Sequence, residues 1–172
     1  QAKKVIDSSL KLYPRNLLVN QYKFDLNNNK IKTQFNCQNH GHVIAEILYI
    51  TANALSSQSI YKFSNFYLNL AKYLNNDFRS YDILLAENFY KVGNYKQAIF
   101  FYNDIKKHGE AFFWYAAKQN TKILIKENKK DKAFELMTSS YKKLLEKDIY
   151  KSFDYAFFLK NNEKFEDSIK LY

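Results

Sequence analysis

Between Arg79 and Gly109 hydrophobic and polar positions alternate with the period of a helix. In the stretch LLAENFYKVGNYKQAIFFYNDI, Leu85, Ala86 and Phe89 mark one face of a first helix. Ala98, Tyr102 and Ile105 mark one face of a second, and Val92-Gly93-Asn94 splits the two. The pattern predicts a pair of short amphipathic helices joined by a tight turn.

The same signature recurs along the chain. Gln1 to Leu12 reads as a helix ending before Pro14, with Ala2, Ile6 and Ser9 on one face. Arg15 to Leu26 reads as another, with Leu17, Leu18, Tyr22 and Leu26 in register. The polar, Asn-rich stretch from Asn27 to Gly41 lacks any helical period and predicts a loop or insertion. From Val43 the period returns. Val43 to Ser57 pairs with Ile60 to Leu74, through Leu48, Ala52 and Leu55 on one helix and Ser64, Leu68 and Ala71 on the other. Asp77 is the expected N-cap of the helix that follows. Glu110 to Asn128 pairs with Lys130 to Leu145, using Ala117, Leu124, Ala133 and Met137. Asp148 to Asn161 pairs with Lys164 to Tyr172, using Tyr155, Ala156, Leu159, Ser168 and Tyr172.

Small residues of the second helices set the period. Ser64, Ala98, Ala133 and Ser168 are separated by 98 − 64 = 34, 133 − 98 = 35 and 168 − 133 = 35 positions. Small side chains at such points let two helices approach closely, while large neighbours fill the gaps. This order of large, small and aromatic positions resembles the tetratricopeptide repeat, a helix–turn–helix unit of about 34 residues. The resemblance covers nearly all of 43–172 and, as a half repeat, 1–14. Within that family it looks like bacterial, alphaproteobacterial-type repeat proteins. Departures occur at the usual opening aromatic, here Leu48, Asp82, Ala117 and Ser152, and at the usual glycine, here Ala52, Ala86, Thr121 and Ala156. The resemblance implies an all-α fold, an α-solenoid of antiparallel helix pairs in a right-handed superhelix. Its units are 43–76, 77–109, 110–147 and a shortened 148–172, preceded by degenerate repeat helices in 1–26 and a polar loop in 27–42. A chain that opens at Gln1, inside a half repeat, is expected to be a segment of a longer protein.

Composition narrows the classes. With three Gly and one Pro in 172 residues, a many-stranded β fold is disfavoured. The net charge of +10 suits an acidic partner, a nucleic acid or an anionic membrane surface, or else a plain Lys-rich solvated surface, since Lys is scattered through the chain. One cysteine, Cys37, excludes an internal disulfide framework. No apolar run approaches the roughly 18 residues of a membrane span. No glycine-rich phosphate loop is present, and His40, His42 and His108 stand outside any catalytic motif, so neither enzymatic activity nor a cofactor is expected. The sharpest metal-like cluster is Cys37, His40 and His42, which lacks a fourth ligand and the paired spacing of zinc motifs.

The resemblance implies that first helices line a concave groove. Projected onto this chain, groove positions are Tyr49 and Asn53; then Ile83, Glu87, Tyr90 and Lys91; then Tyr115, Lys118, Lys122 and Lys126; then Tyr150, Phe153, Phe157 and Lys160. Lys118, Lys122 and Lys126 recur every four positions and form a basic ladder along one helix. Ammonium groups flanked by aromatic rings suit an acidic peptide. The carboxylate clamp of chaperone-binding members is not matched: Asn53 fits, but Tyr49, Leu84, Tyr115 and Gln119 occupy the other places. The expected function is a protein-interaction scaffold. Nucleic-acid binding is the alternative, weakened by having only Arg15 and Arg79 for phosphate contacts, and a purely architectural spacer is a third.

Overall fold

The periodicity is realised as helices throughout. A computed structural model describes residues 1–30 and 33–171. It contains α1 (Ala2–Leu12), α2 (Leu17–Asn27), α3 (His40–Ser57), α4 (Tyr61–Leu74), α5 (Ser80–Lys91), α6 (Tyr95–Ile105), α7 (Glu110–Lys126), α8 (Lys130–Lys143), α9 (Ile149–Asn161) and α10 (Phe165–Ile169). A 3-10 turn, Lys106–His108, follows α6, and there is no strand among the described residues. Neighbouring helices pack in pairs: α1 with α2, α3 with α4, α5 with α6, α7 with α8 and α9 with α10.

Among the boundaries that differ from the expectation, two helix starts are matters of capping. α3 starts at His40, inside the predicted loop, because Asn39 accepts from the N–H groups of Gly41 and His42 at 2.9 and 3.3 Å. Asp77 does not cap α5, which begins at Ser80. Its own N–H is instead held by Asn75 Oδ1 at 3.1 Å. Ile31 and Lys32 of the predicted loop, and Tyr172 of the last predicted helix face, lie outside the described residues.

The four turns within the pairs from α3 to α10 share one backbone geometry. Ser59, Gly93, Asn128 and Glu163 all adopt left-handed φ values of 63, 77, 58 and 61°. Their separations, 93 − 59 = 34, 128 − 93 = 35 and 163 − 128 = 35, repeat the spacing of the small residues. Each donates its N–H three residues back, and the following residue donates five back: Ile60 to Leu55, Asn94 to Phe89, Lys129 to Leu124 and Lys164 to Leu159, at 2.8–3.0 Å. These are four copies of the Schellman stop, which satisfies the last carbonyls of the first helix and reverses the chain. α7 ends at Lys126, short of the predicted Asn128, because Asn128 has taken the left-handed position of that stop.

The small positions are what the pairs close upon. Ala52, Ala86, Thr121 and Ala156 on the first helices are buried, as are Ser64, Ala98, Ala133 and Ser168 on the second. Where serine stands, its hydroxyl donates across the pair, Ser64 to the Ala52 carbonyl at 2.8 Å and Ser168 to the Ala156 carbonyl at 2.9 Å. A small residue with a satisfied hydroxyl costs no packing distance.

The chain forms two compact units, one of Gln1–Asn27 with His108–Tyr172 and one of Asn28–Lys107. In the second, Ala45, Leu68, Ala71, Tyr81 and Leu85 form the core, with Tyr49, Phe78, Phe89 and Phe101 against it. Asn88 is buried there and fully engaged, accepting from Ser56 at 2.6 Å and donating to Ser64 and Asn65 at 2.8 Å. Asp82 is buried between Lys72 and Arg79 at 2.5 and 3.5 Å. In the other unit, Trp114, Met137, Tyr141, Leu144 and Phe158 form the core, and α2 lies on α7.

Candidate functional site

A cleft of about 350 Å³ opens in the unit formed by Gln1–Asn27 and His108–Tyr172. Its walls are the α1–α2 hairpin, the first half of α7, and the link into α9. Each wall is held by a specific local cause. Gly109, the N-cap of α7, has no side chain to satisfy the helix's first amides. Gln21 of α2 does it instead: its Oε1 accepts from Ala111 N–H at 2.9 Å while its Nε2 donates to Asp25 at 2.7 Å. This buried amide pins α2 to the start of α7. Glu110 Oε1 accepts from the N–H groups of Leu145 and Glu146 at 2.8 and 3.3 Å, drawing the α8–α9 link onto the same helix turn. Asp148 then caps α9 by accepting from Lys151 N–H at 2.9 Å.

Asp154 is the electrostatic centre of the cleft. Its carboxylate takes Lys118 Nζ at 2.5 Å, Arg15 Nη1 at 2.7 Å and the Trp114 indole N–H at 3.4 Å. Burial pushes the Asp154 carboxyl up, but the hydrogen bonds and charges of Lys118 and Arg15 outweigh it and hold the group below its ordinary 3.8. The Arg15 guanidinium also lies 5.3 Å from the centre of the Tyr150 ring, within cation–π range.

The structure sorts the groove positions. Tyr115, Lys118 and Tyr150 line this cleft together. Lys118 does not continue a ladder of solvated cations, because Asp154 neutralises it and its ammonium sits 6.0 Å over Trp114. Lys122 and Lys126 are exposed, as is Lys160. Tyr150, Phe153 and Phe157 are 42, 47 and 52% exposed, and their spacing places them on one face of α9. The cleft lining carries four cations, Arg15, Lys23, Lys118 and Lys151, against four carboxylates, Glu110, Glu146, Asp148 and Asp154. On α7 the expected basic row is therefore reduced to Lys122 and Lys126.

The remaining groove positions belong to the other unit. Tyr49 packs edge-on against Phe78 and Tyr81 at 5.8 and 5.4 Å, so its ring serves the core there. Asn53 is exposed and turns its amide back to the Tyr49 carbonyl at 3.0 Å. Tyr90 lies against Tyr95 at 5.8 Å, Lys91 is exposed, and Ile83 and Glu87 are half-buried. Cys37 is exposed, and His42 Nδ1 accepts from Asn36 N–H at 3.1 Å. No group of three His, Cys, Asp or Glu side chains among the described residues is placed to hold a metal ion.

Sequence reasoning missed Arg15, Trp114 and Asp154. The one available signal for Asp154 was an acidic residue flanked by aromatic Phe153 and Tyr155 in a first helix, which does not by itself disclose its partners. No protein-family model matches the chain, and comparison with curated proteins gives no match. No helix among the described residues is long and apolar enough to cross a membrane.

Proposed function

We propose that the chain is a non-catalytic interaction module of the tetratricopeptide type, with the right-handed stacking that assignment implies. It binds an extended segment of another protein along the face shared by α7 and α9. The repeat assignment draws its support from the shared period of four buried small residues and four left-handed turns. The observation that carries the binding reading is the exposed row Tyr150–Phe153–Phe157 beside the cleft. Half-exposed rings along one helix face supply contact area to a partner at small entropic cost. Lys122 and Lys126, exposed further along α7, favour acidic residues in the part of the segment that crosses them.

The test is selection from a displayed random-peptide library on the folded protein. A common motif carrying acidic residues is expected, and it should be lost on Phe153→Ser with Phe157→Ser, and weakened by Lys122→Glu with Lys126→Glu. All four positions are exposed, so the helical content should stay unchanged. No enriched motif, or one indifferent to the aromatic pair, would refute the proposal.

A further inference from the structure

We propose that the pocket of Asp154 and Tyr150 is a guanidinium site that receives an arginine side chain of the bound segment, and that Arg15 is its occupant in cis. This rests on the reading of the α7–α9 face as a peptide site and adds the chemistry of one anchor.

Three features argue for it. First, the pocket offers what a guanidinium takes: a carboxylate at 2.7 Å and an aromatic ring 5.3 Å from the guanidinium carbon. Second, the pocket does not depend on Arg15. Asp154 is held from α7 by Lys118 and by the Trp114 indole, so the carboxylate stays ionised and oriented when Arg15 withdraws. Third, the α1 side of the hairpin that carries Arg15 is lightly held, α2 being fixed to α7 through Gln21. α1 has no buried residue, and the only one in α2 is polar Gln21. Val5, Leu12 and Tyr13 face solvent at 64, 75 and 65% exposure. Arg15 itself is half exposed, against 16% for Asp154, so the host is built into the fold while the guest sits at its surface. The open volume of the cleft lies beside it and has room for more than one side chain.

A cis occupant lowers the apparent affinity for an external one by the fraction of time it vacates the site. Trp114, the one tryptophan of the chain, bonds to Asp154 and reports occupancy by its fluorescence. The probe is N-acetyl-L-argininamide, with N-acetylglycinamide as the blank, titrated into the full chain. Arg15→Ala is expected to bind the probe about tenfold more tightly than the parent, the factor for a site that Arg15 fills about nine-tenths of the time. Asp154→Asn in the Arg15→Ala background should remove the response. Tyr150→Ala, at an exposed ring that does not threaten folding, should weaken it several-fold. Equal titrations for the parent and Arg15→Ala would overturn the proposal, as would a response that survives Asp154→Asn and Tyr150→Ala. Because the probe is a single amino-acid derivative, failure here leaves the peptide selection free to succeed, and failure of that selection leaves this titration interpretable.

Discussion

Gly109 is the position where one methyl group should do most harm, through Gln21. An added Cβ would lie 2.1–2.3 Å from the Gln21 carboxamide atoms, far inside contact distance. Gly109→Ala must therefore evict a buried amide that caps α7 and bonds Asp25. Two lost hydrogen bonds at about 0.5–1.5 kcal/mol each give about 1–3 kcal/mol. The backbone adds to this, since φ 147° and ψ 174° fall in a region that is essentially glycine's alone, and forcing alanine there costs about 1–3 kcal/mol. The expected loss is about 2–6 kcal/mol, a large part of the stability of a small domain. Gln21→Ala alone should cost about 1–2 kcal/mol, from the missing cap and its partner. The informative variant is the double one. With alanine at 21 the new methyl meets no amide, so Gly109→Ala should then cost only its backbone share, about 1–3 kcal/mol less than in the parent. Urea unfolding followed by Trp114 fluorescence reads this unit, because Trp114 lies one turn inside α7. If Gly109→Ala costs the same in both backgrounds within about 0.5 kcal/mol, Gln21 is not what the methyl meets, and the tertiary cap is wrong.

Other outcomes follow from single groups. Tyr81 is fully buried and its hydroxyl makes no well-formed hydrogen bond, the nearby Asn75 side chain being turned to the Gln34 carbonyl and the Asp77 N–H. Tyr81→Phe should therefore leave the thermal midpoint unchanged or raise it. Burial pushes this phenol from 10.0 up to about 12, so the folded state keeps its proton where the unfolded chain loses it. Stability should then fall from pH 10 towards 12, and the phenylalanine variant should lack that component. Asp154 has the opposite sign: its folded carboxyl lies below 3.8, so its contribution is present above that pH and is lost as pH drops through the lower folded value. Acid unfolding monitored by Trp114 should lose this step in Asp154→Asn. Glu163 holds a left-handed φ of 61° without glycine. Glu163→Gly should stabilise by about 0.5–1 kcal/mol, the left-handed cost less the added freedom of the unfolded chain. Gly93→Ala should have the reverse sign by similar reasoning, since nothing lies within 4 Å of the added carbon.

What was legible in the sequence was whatever repeats. Ser64, Ala98, Ala133 and Ser168 could be recognised because close helix approach demands small side chains at one register, and all four are buried. The turn residues share that period but hid behind four different identities, Ser, Gly, Asn and Glu, because the left-handed geometry is dictated by the ladder of hydrogen bonds and only favoured by glycine. Asp77 misled because a capping residue was inferred from composition, whereas the start of α5 is set by Asn75 and by Asp82 buried between two cations. The Arg15–Asp154 pair spans 139 positions and leaves no periodic trace. Lys118 looked like part of a basic row for the same reason, since its neutralising carboxylate comes from another helix.

The division of the chain has a consequence for its synthesis. The α1–α2 hairpin and its acceptor α7 are separated by the 80 positions from 28 to 107 (107 − 28 + 1), which make up a unit of their own. At about 5–20 residues per second the ribosome needs about 4–16 s to deliver that interval. Every residue of the continuous unit has been made before Gly109 and Ala111 emerge to meet Gln21. During those seconds the first hairpin waits without its partner, offering Val5, Leu12 and Tyr13 to whatever binds nascent apolar surface. The order of emergence thus keeps the interrupted unit open until α7 has been made.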